Sequence, residues 1–134
     1  MIEWKNLDTL ASYKELTQLP KVDLTEAMSG ANGAARVQNY SVKAAEGFTY
    51  NYAAKAVNDD ILASLKKLAE EAQLAEKFEE LYSGAVVNTG ENRLVLHHMT
   101  RGQLGQAVIA DGVDKRTFYV EQQNRIADFA NKVH

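Results

Sequence analysis

The feature that most constrains how this chain can fold is the apolar periodicity of residues 58–82. Ile61, Leu65, Leu68, Ala69 and Ala72 recur at intervals of three and four, which lines them up along one helical face. Asn58 offers a side-chain oxygen to the first unpaired N–H groups, and Asp59 and Asp60 set negative charge against the positive helix start. Leu74, Phe78, Leu81 and Tyr82 continue in a changed phase, so the pattern predicts a bend or a second helix start near Gln73 and a stop at Gly84. The stretch holds seven acids and three bases, a local charge of −4 that reads as a solvated outer face. Helices with one apolar face must bury it against other elements, and the predicted fold class is mainly α, with four to six helices.

The remaining signals are shorter. Leu7, Leu10, Ala11 and Leu16 suggest a first helix over about 6–18, with Asn6 as cap, Asp8 in the first turn and Pro20 beyond its end. Asp23 and Glu26 have capping-box spacing, and Val22 and Ala27 sit at staple positions, predicting a short helix that Gly30 ends. A further helical turn follows over 34–39. Phe48, Tyr50 and Tyr52 alternate with Thr49 and Asn51, the period of a half-buried strand. Leu94-Val95-Leu96 fits helix or strand equally. Asp111-Gly112, between Ile109-Ala110 and Val113, suits a type I′ turn, so one or two short strands or a small hairpin are expected near 48–54 and 107–113. From Thr117 to His134 the chain reads as a helix with Tyr119, Gln122, Ile126, Phe129, Ala130 and Val133 on one face. The sequence stops within the last turn of that helix, an ending that resembles a cut more than a finish.

Composition narrows the function classes. A length of 134 residues fits one domain, and 46% hydrophobic with 25% charged residues is ordinary for a globular chain able to bury about two thirds of its unfolded surface. No apolar run approaches the roughly 20 residues of a membrane-spanning helix, and no basic start with an apolar centre marks a secretory signal, so the cytoplasm is the default address. A net charge of −3 argues against a general nucleic-acid or anionic-membrane surface. The absence of cysteine excludes disulfides, thiolate metal sites and cysteine nucleophiles.

Few residues suggest chemistry. Arg93, His97 and Arg101 are four apart, and a helix would present all three on one face to a phosphate or carboxylate. Pairing with a local acid such as Glu91 is the more ordinary fate of such arginines. His97-His98 invites a metal hypothesis, but adjacent side chains diverge by about 100° on a helix and oppose each other on a strand. Gly30-Ala31-Asn32-Gly33 and Gly102-Gln103-Leu104-Gly105 have the GxxG form of nucleic-acid backbone clamps without the basic flank, and read as turns. Ser29, Ser41, Ser64 and Ser83 lack the context of a nucleophile elbow, and Asp59-Asp60, Glu70-Glu71 and Glu79-Glu80 read as solvated pairs. Neither phosphate-cradling nor dinucleotide glycine motifs occur. Taken alone, the residues define no catalytic, cofactor or metal site.

Residues 88–101, Asn-Thr-Gly-Glu-Asn-Arg-Leu-Val-Leu-His-His-Met-Thr-Arg, resemble the N-terminal part of the glucose-6-phosphate isomerase family. That family carries an Asn, then Glu-x-Arg-Ala-Val-Leu-His, then an Arg four residues after the His; here these are Asn88, Glu91, Arg93, Val95, Leu96, His97 and Arg101. A helix pair ending in Tyr82-Ser83-Gly84, the Ile-Ala-Asp-Gly turn at 109–112 and the long closing helix extend the resemblance over roughly residues 20–134. Leu94, His98-Met99-Thr100 and the segment 102–105 depart from the family pattern.

The resemblance implies a helical N-terminal segment, residues 1–134, of an enzyme interconverting glucose 6-phosphate and fructose 6-phosphate in glycolysis and gluconeogenesis. It implies no cofactor and no metal, a sugar phosphate as substrate of the full-length parent, a homodimeric parent, and no nucleic-acid or membrane partner. The family's sugar-phosphate loop, glutamate base and assisting histidine, lysine and arginine lie C-terminal to this region, which leaves the chain alone without catalytic residues. Arg93, His97 and Arg101 are then bracing residues. Apolar side chains facing an absent domain should lie open or be covered by a second copy of the chain, with Leu94, Leu96, Met99 and Val108 as candidates. The competing class is a stand-alone helical protein-interaction module. A small catalytic domain built on the Arg/His cluster ranks last.

Overall fold

A computed structural model describes residues 2–102 and 105–134, in two compact units, one of Glu3–Ala72 and the other of Gln73–His134 together with Ile2. The described residues are mainly α, 55% helical, with six α-helices and three two-stranded antiparallel sheets. The mainly helical expectation with small hairpins therefore holds.

In the first unit a single 3-10 turn at Leu7–Thr9 leads into α1 (Ala11–Gln18). The sequence suggested one continuous helix from residue 6; the chain instead becomes extended at Leu10, which is buried and caps α1 without a side-chain hydrogen bond. The cap comes from α4 (Asp59–Glu71), which packs against α1. Its Glu71 carboxylate accepts from Ala11 N at 3.1 Å, from Ser12 N at 2.8 Å and from the Ser12 hydroxyl. These bonds, the hydroxyl first, hold Glu71 below the usual carboxylate range.

α2 (Leu24–Ala27) begins as its capping pattern requires, with Asp23 Oδ1 accepting from Thr25 N at 2.8 Å and Glu26 N at 3.2 Å. Gly30 does not end this helix. α2 stops at Ala27, and Gly30 opens α3 (Gly30–Asn39), which absorbs the turn expected at 34–39. The strand expected at 48 is present as β2 (Phe48–Asn51), exposed along its whole length where half-burial was expected, and it pairs with β1 (Ser41–Ala45), whose alternation is too short to announce it. The chain between β2 and α4 is fastened by a buried arginine from α3. Arg36 donates to Ala53 O at 2.7 Å, Lys55 O at 2.9 Å and Val57 O at 2.6 Å, and its guanidinium lies 4.1 Å from the Tyr40 ring centroid.

Asn58 caps α4, accepting from Ile61 N at 2.9 Å. The predicted phase break falls at Gln73, whose φ of 53° is left-handed, and α5 (Leu74–Ser83) follows. α5 closes at Gly84 with φ 83°. There a Cβ would sit 2.4 Å from a Val108 methyl, so only glycine satisfies both the backbone and the close packing.

In the second unit β3 (Val86–Asn88) pairs with β4 (Arg93–Leu94), and β5 (Ile109–Ala110) pairs with β6 (Val113–Asp114). Asp111 and Gly112 both take positive φ, 53° and 73°, as a type I′ turn demands. α6 (Lys115–Val133) starts two residues earlier than its periodicity suggested because Asp114 caps it, accepting from Arg116 N at 3.1 Å and the Thr117 hydroxyl at 2.8 Å. Those bonds, Thr117 foremost, lower the Asp114 pKa. Among the described residues, no helix is long and apolar enough to cross a membrane.

Candidate functional site

The 88–101 motif occupies a hairpin followed by a single 3-10 turn. Asn88 pairs with Arg93 and Val86 with Leu94 across β3 and β4, and Asn92, at φ 52°, turns the chain between them. The tip closes on itself. Glu91 N donates to Asn88 Oδ1 at 3.3 Å, Asn88 Nδ2 donates to Glu91 Oε2 at 3.2 Å, and Arg93 Nη1 lies 3.7 Å from the same carboxylate oxygen. The Arg93 and Glu91 side chains are largely exposed, so this ion pair is weakly held and contributes little stability.

The shared helical face expected for Arg93, His97 and Arg101 is absent. Arg93 lies on a strand, while His97 and Arg101 belong to the 3-10 turn His97–Arg101. A spacing of four gathers side chains only on a continuous helix, and hairpin pairing of Arg93 with Asn88 removes that condition. The three residues consequently line two different recesses. Arg93 borders one of about 490 Å³ with Leu94, Leu96, Ile109 and Lys115; His97 and Arg101 border another of about 480 Å³ with His98 and Thr100.

Met99 anchors the 3-10 turn at 0% exposure, and Val108, at 5%, packs over Gly84. Both were expected to lie open, as were Leu94 and Leu96, which are half-buried. The unit uses these side chains for its own interior. His97 is exposed, whereas the His98 ring stacks on Tyr82 at 4.5 Å between centroids, and its Nε2 is buried with no hydrogen-bond partner. The adjacent histidines thus diverge, and among the described residues no group of three or more His, Asp or Glu side chains could hold a metal ion. The second GxxG segment includes Gln103 and Leu104, which lie outside the described residues.

The residue that organises this region drew no attention in the sequence. Arg116, buried in the first turn of α6, donates through Nε to Gln106 O and through Nη2 to Tyr82 O at 3.1 Å. Its guanidinium lies 5.8 Å from the Tyr82 ring centroid, so Tyr82 serves both Arg116 and His98. An Arg two residues after a helix-capping Asp, beside a glycine-rich segment, is the one local signal available. Taken together, Tyr82, His98 and Arg116 form a packed cluster beside two cation-bordered recesses, with His98 Nε2 and Arg116 Nη1 buried without a hydrogen-bond partner.

A family model described as phosphoglucose isomerase matches residues 51–134. The chain is 46% identical to the glucose-6-phosphate isomerase of Treponema denticola over 99% of its own length and 26% of that protein. It is 36% identical to that of Borreliella burgdorferi over 100% of its own length and 25% of the relative. A crystal structure of a glucose-6-phosphate isomerase from Chlamydia trachomatis matches with a TM-score of 0.71 and 32% identity, covering 93% of this chain and 25% of that one. The chain belongs to the phosphoglucose isomerase family. It spans about a quarter of the length of the curated relatives it matches.

Proposed function

We propose that these 134 residues are the N-terminal helical segment of a cytoplasmic glucose-6-phosphate isomerase, and that the chemistry resides in sugar-isomerase domains outside them. The observation carrying this reading is the similarity along essentially the whole chain to isomerases of which it represents only about a quarter. The full-length protein interconverts glucose 6-phosphate and fructose 6-phosphate as a homodimer, without a cofactor and without nucleic-acid or membrane partners.

The reaction explains why the segment alone is inactive. Moving a proton between C1 and C2 through an enediolate needs a positioned carboxylate, and each such acid–base group contributes about 10²–10⁴-fold. Cationic or hydrogen-bonding groups must also meet the developing negative charge. Glu91, the acid of the motif, sits at an exposed hairpin tip with Asn88 and Arg93, where water competes for every contact. Arg93, His97 and Arg101 border separate recesses and could only attract the phosphate; uniform attraction of substrate does not lower the chemical barrier.

A coupled assay of fructose 6-phosphate conversion tests both halves of the proposal. The 134-residue chain is expected to give no turnover, and a chimera in which it replaces the matching quarter of the Treponema denticola isomerase is expected to be active. Turnover by the isolated chain that disappears in an Arg93→Ala, His97→Ala double variant would place catalysis inside these residues and overturn the reading.

A further inference from the structure

α6 changes character halfway along its length. Arg116 is buried, Tyr119 and Gln122 are half-buried, and Gln123 Nε2 reaches Thr100 O at 2.8 Å, so the first two turns belong to their unit. From Asn124 to the helix end every residue is exposed, and the side-chain hydrogen bond made here, Arg125 Nη1 to Gln122 Oε1 at 3.2 Å, is local to the helix. Yet this half carries an apolar stripe, Ile126, Phe129, Ala130 and Val133, with Ile126 and Phe129 69% exposed and Val133 66% exposed. Helical stretches shorter than about 12–15 residues are marginal in water on propensity alone, and such a stripe becomes stabilising only when covered.

We propose that the Ile126–Phe129–Val133 stripe is the docking surface through which this segment is covered by the remainder of a full-length isomerase chain, an inference that rests on the segment reading above. Two observations favour this occupant over a second copy. The matched relatives place about three quarters of their length outside the aligned segment, which supplies ample chain to cover the stripe. Three side chains of this size offer each copy about 300–400 Å² to bury, so a symmetric dimer through them falls well short of the about 1,200 Å² that stable association needs. A covering element in the same chain is under no such requirement, because its effective concentration is high.

Hydrogen exchange on the 134-residue chain and on the active chimera decides the matter. Amides of 124–133 are expected to exchange at nearly unprotected rates in the isolated chain and at least about 100-fold more slowly in the chimera. In the chimera, Ile126→Asp with Phe129→Asp should abolish that protection and lower the melting temperature, while Asp128→Asn with Lys132→Gln, on the polar face, should do neither. Equally fast exchange in the isolated chain and in an active chimera would overturn the docking surface while leaving the segment reading intact. Protection in the isolated chain that rises with its concentration would assign the stripe to a second copy and overturn the proposal. An inactive chimera would remove the segment reading, and the proposal with it.

Discussion

The carboxylate at position 71 closes the start of a helix sixty residues earlier in the sequence, taking two backbone N–H groups and one hydroxyl. Because folding holds this group below its ordinary pKa, the cap is fully present above about pH 4.3, the unperturbed value for Glu, and fades as pH falls through the lower folded value. The melting temperature is therefore expected to drop as pH is lowered from 5 towards 3. Glu71→Gln should reduce that slope, leaving the part due to Asp114 and Glu3, which are lowered in the same direction. An unchanged slope in the variant would show that the cap carries no weight. Gly84 makes a second prediction at this scale. Alanine there meets both a left-handed backbone and the Val108 methyl groups at 2.4 and 2.8 Å, and should cost about 2–4 kcal/mol. Adding Val108→Ala should recover the steric part and leave the backbone part, which thermal unfolding of the single and double variants would separate.

At the scale of elements, Arg36 fixes the connection between β2 and α4 by pairing with three carbonyl groups. Arg36→Met preserves bulk but strips those acceptors of their partner, at a cost of at least about 2 kcal/mol. Amides of 53–57 should exchange faster while those of α4 are little changed; equal loosening of both would mean that the arginine holds the whole unit. No sequence rule pointed to Arg36 or Arg116, because their partners are carbonyl groups brought close only by folding. What the sequence did make legible rests on local chemistry. The Asp23 cap, the break at Gln73, the stop at Gly84 and the Asp111-Gly112 turn each depend on a few neighbouring residues. β1 escaped notice because Ser41-Val42-Lys43-Ala44 alternates over four residues only and carries a single β-branched side chain, and it exists through pairing with β2. The motif at 88–101 was legible as a family resemblance but not as geometry. Its four-residue spacing suggested a helix, whereas hairpin pairing placed Arg93 apart from His97 and Arg101.

For the whole molecule, the sequence promised an interior covering about two thirds of the unfolded surface, and with 10347 Å² still accessible the folded chain covers about half. Among the described residues the buried apolar side chains are Leu10 and Ala53 in the first unit and Met99 and Val108 in the second. They are matched by an equal number of buried polar or charged ones, Ser12, Arg36, Ser64 and Arg116. Each unit is thus organised around an arginine bonded to loop carbonyls more than around a hydrocarbon core, and hydrogen bonds of that kind give a small net stability because water offers the same partners to the unfolded chain. Side chains such as Phe48, Leu74, Phe78, Ile126 and Phe129 stay exposed in the folded chain, so unfolding uncovers less apolar area than it does in a closed domain of this length. Since the urea dependence of stability scales with newly exposed surface, and small proteins range over about 1–3 kcal/mol/M, the isolated chain is expected at about 1 kcal/mol/M or below, with a midpoint at low urea. In the chimera the same residues should unfold with a larger slope and a higher midpoint, because side chains such as Phe129 and Ile126 gain a surface to lose. Urea titrations followed by far-ultraviolet circular dichroism on both proteins measure this, and a slope of about 2 kcal/mol/M or more for the isolated chain would mean that its 134 residues already close a full core of their own.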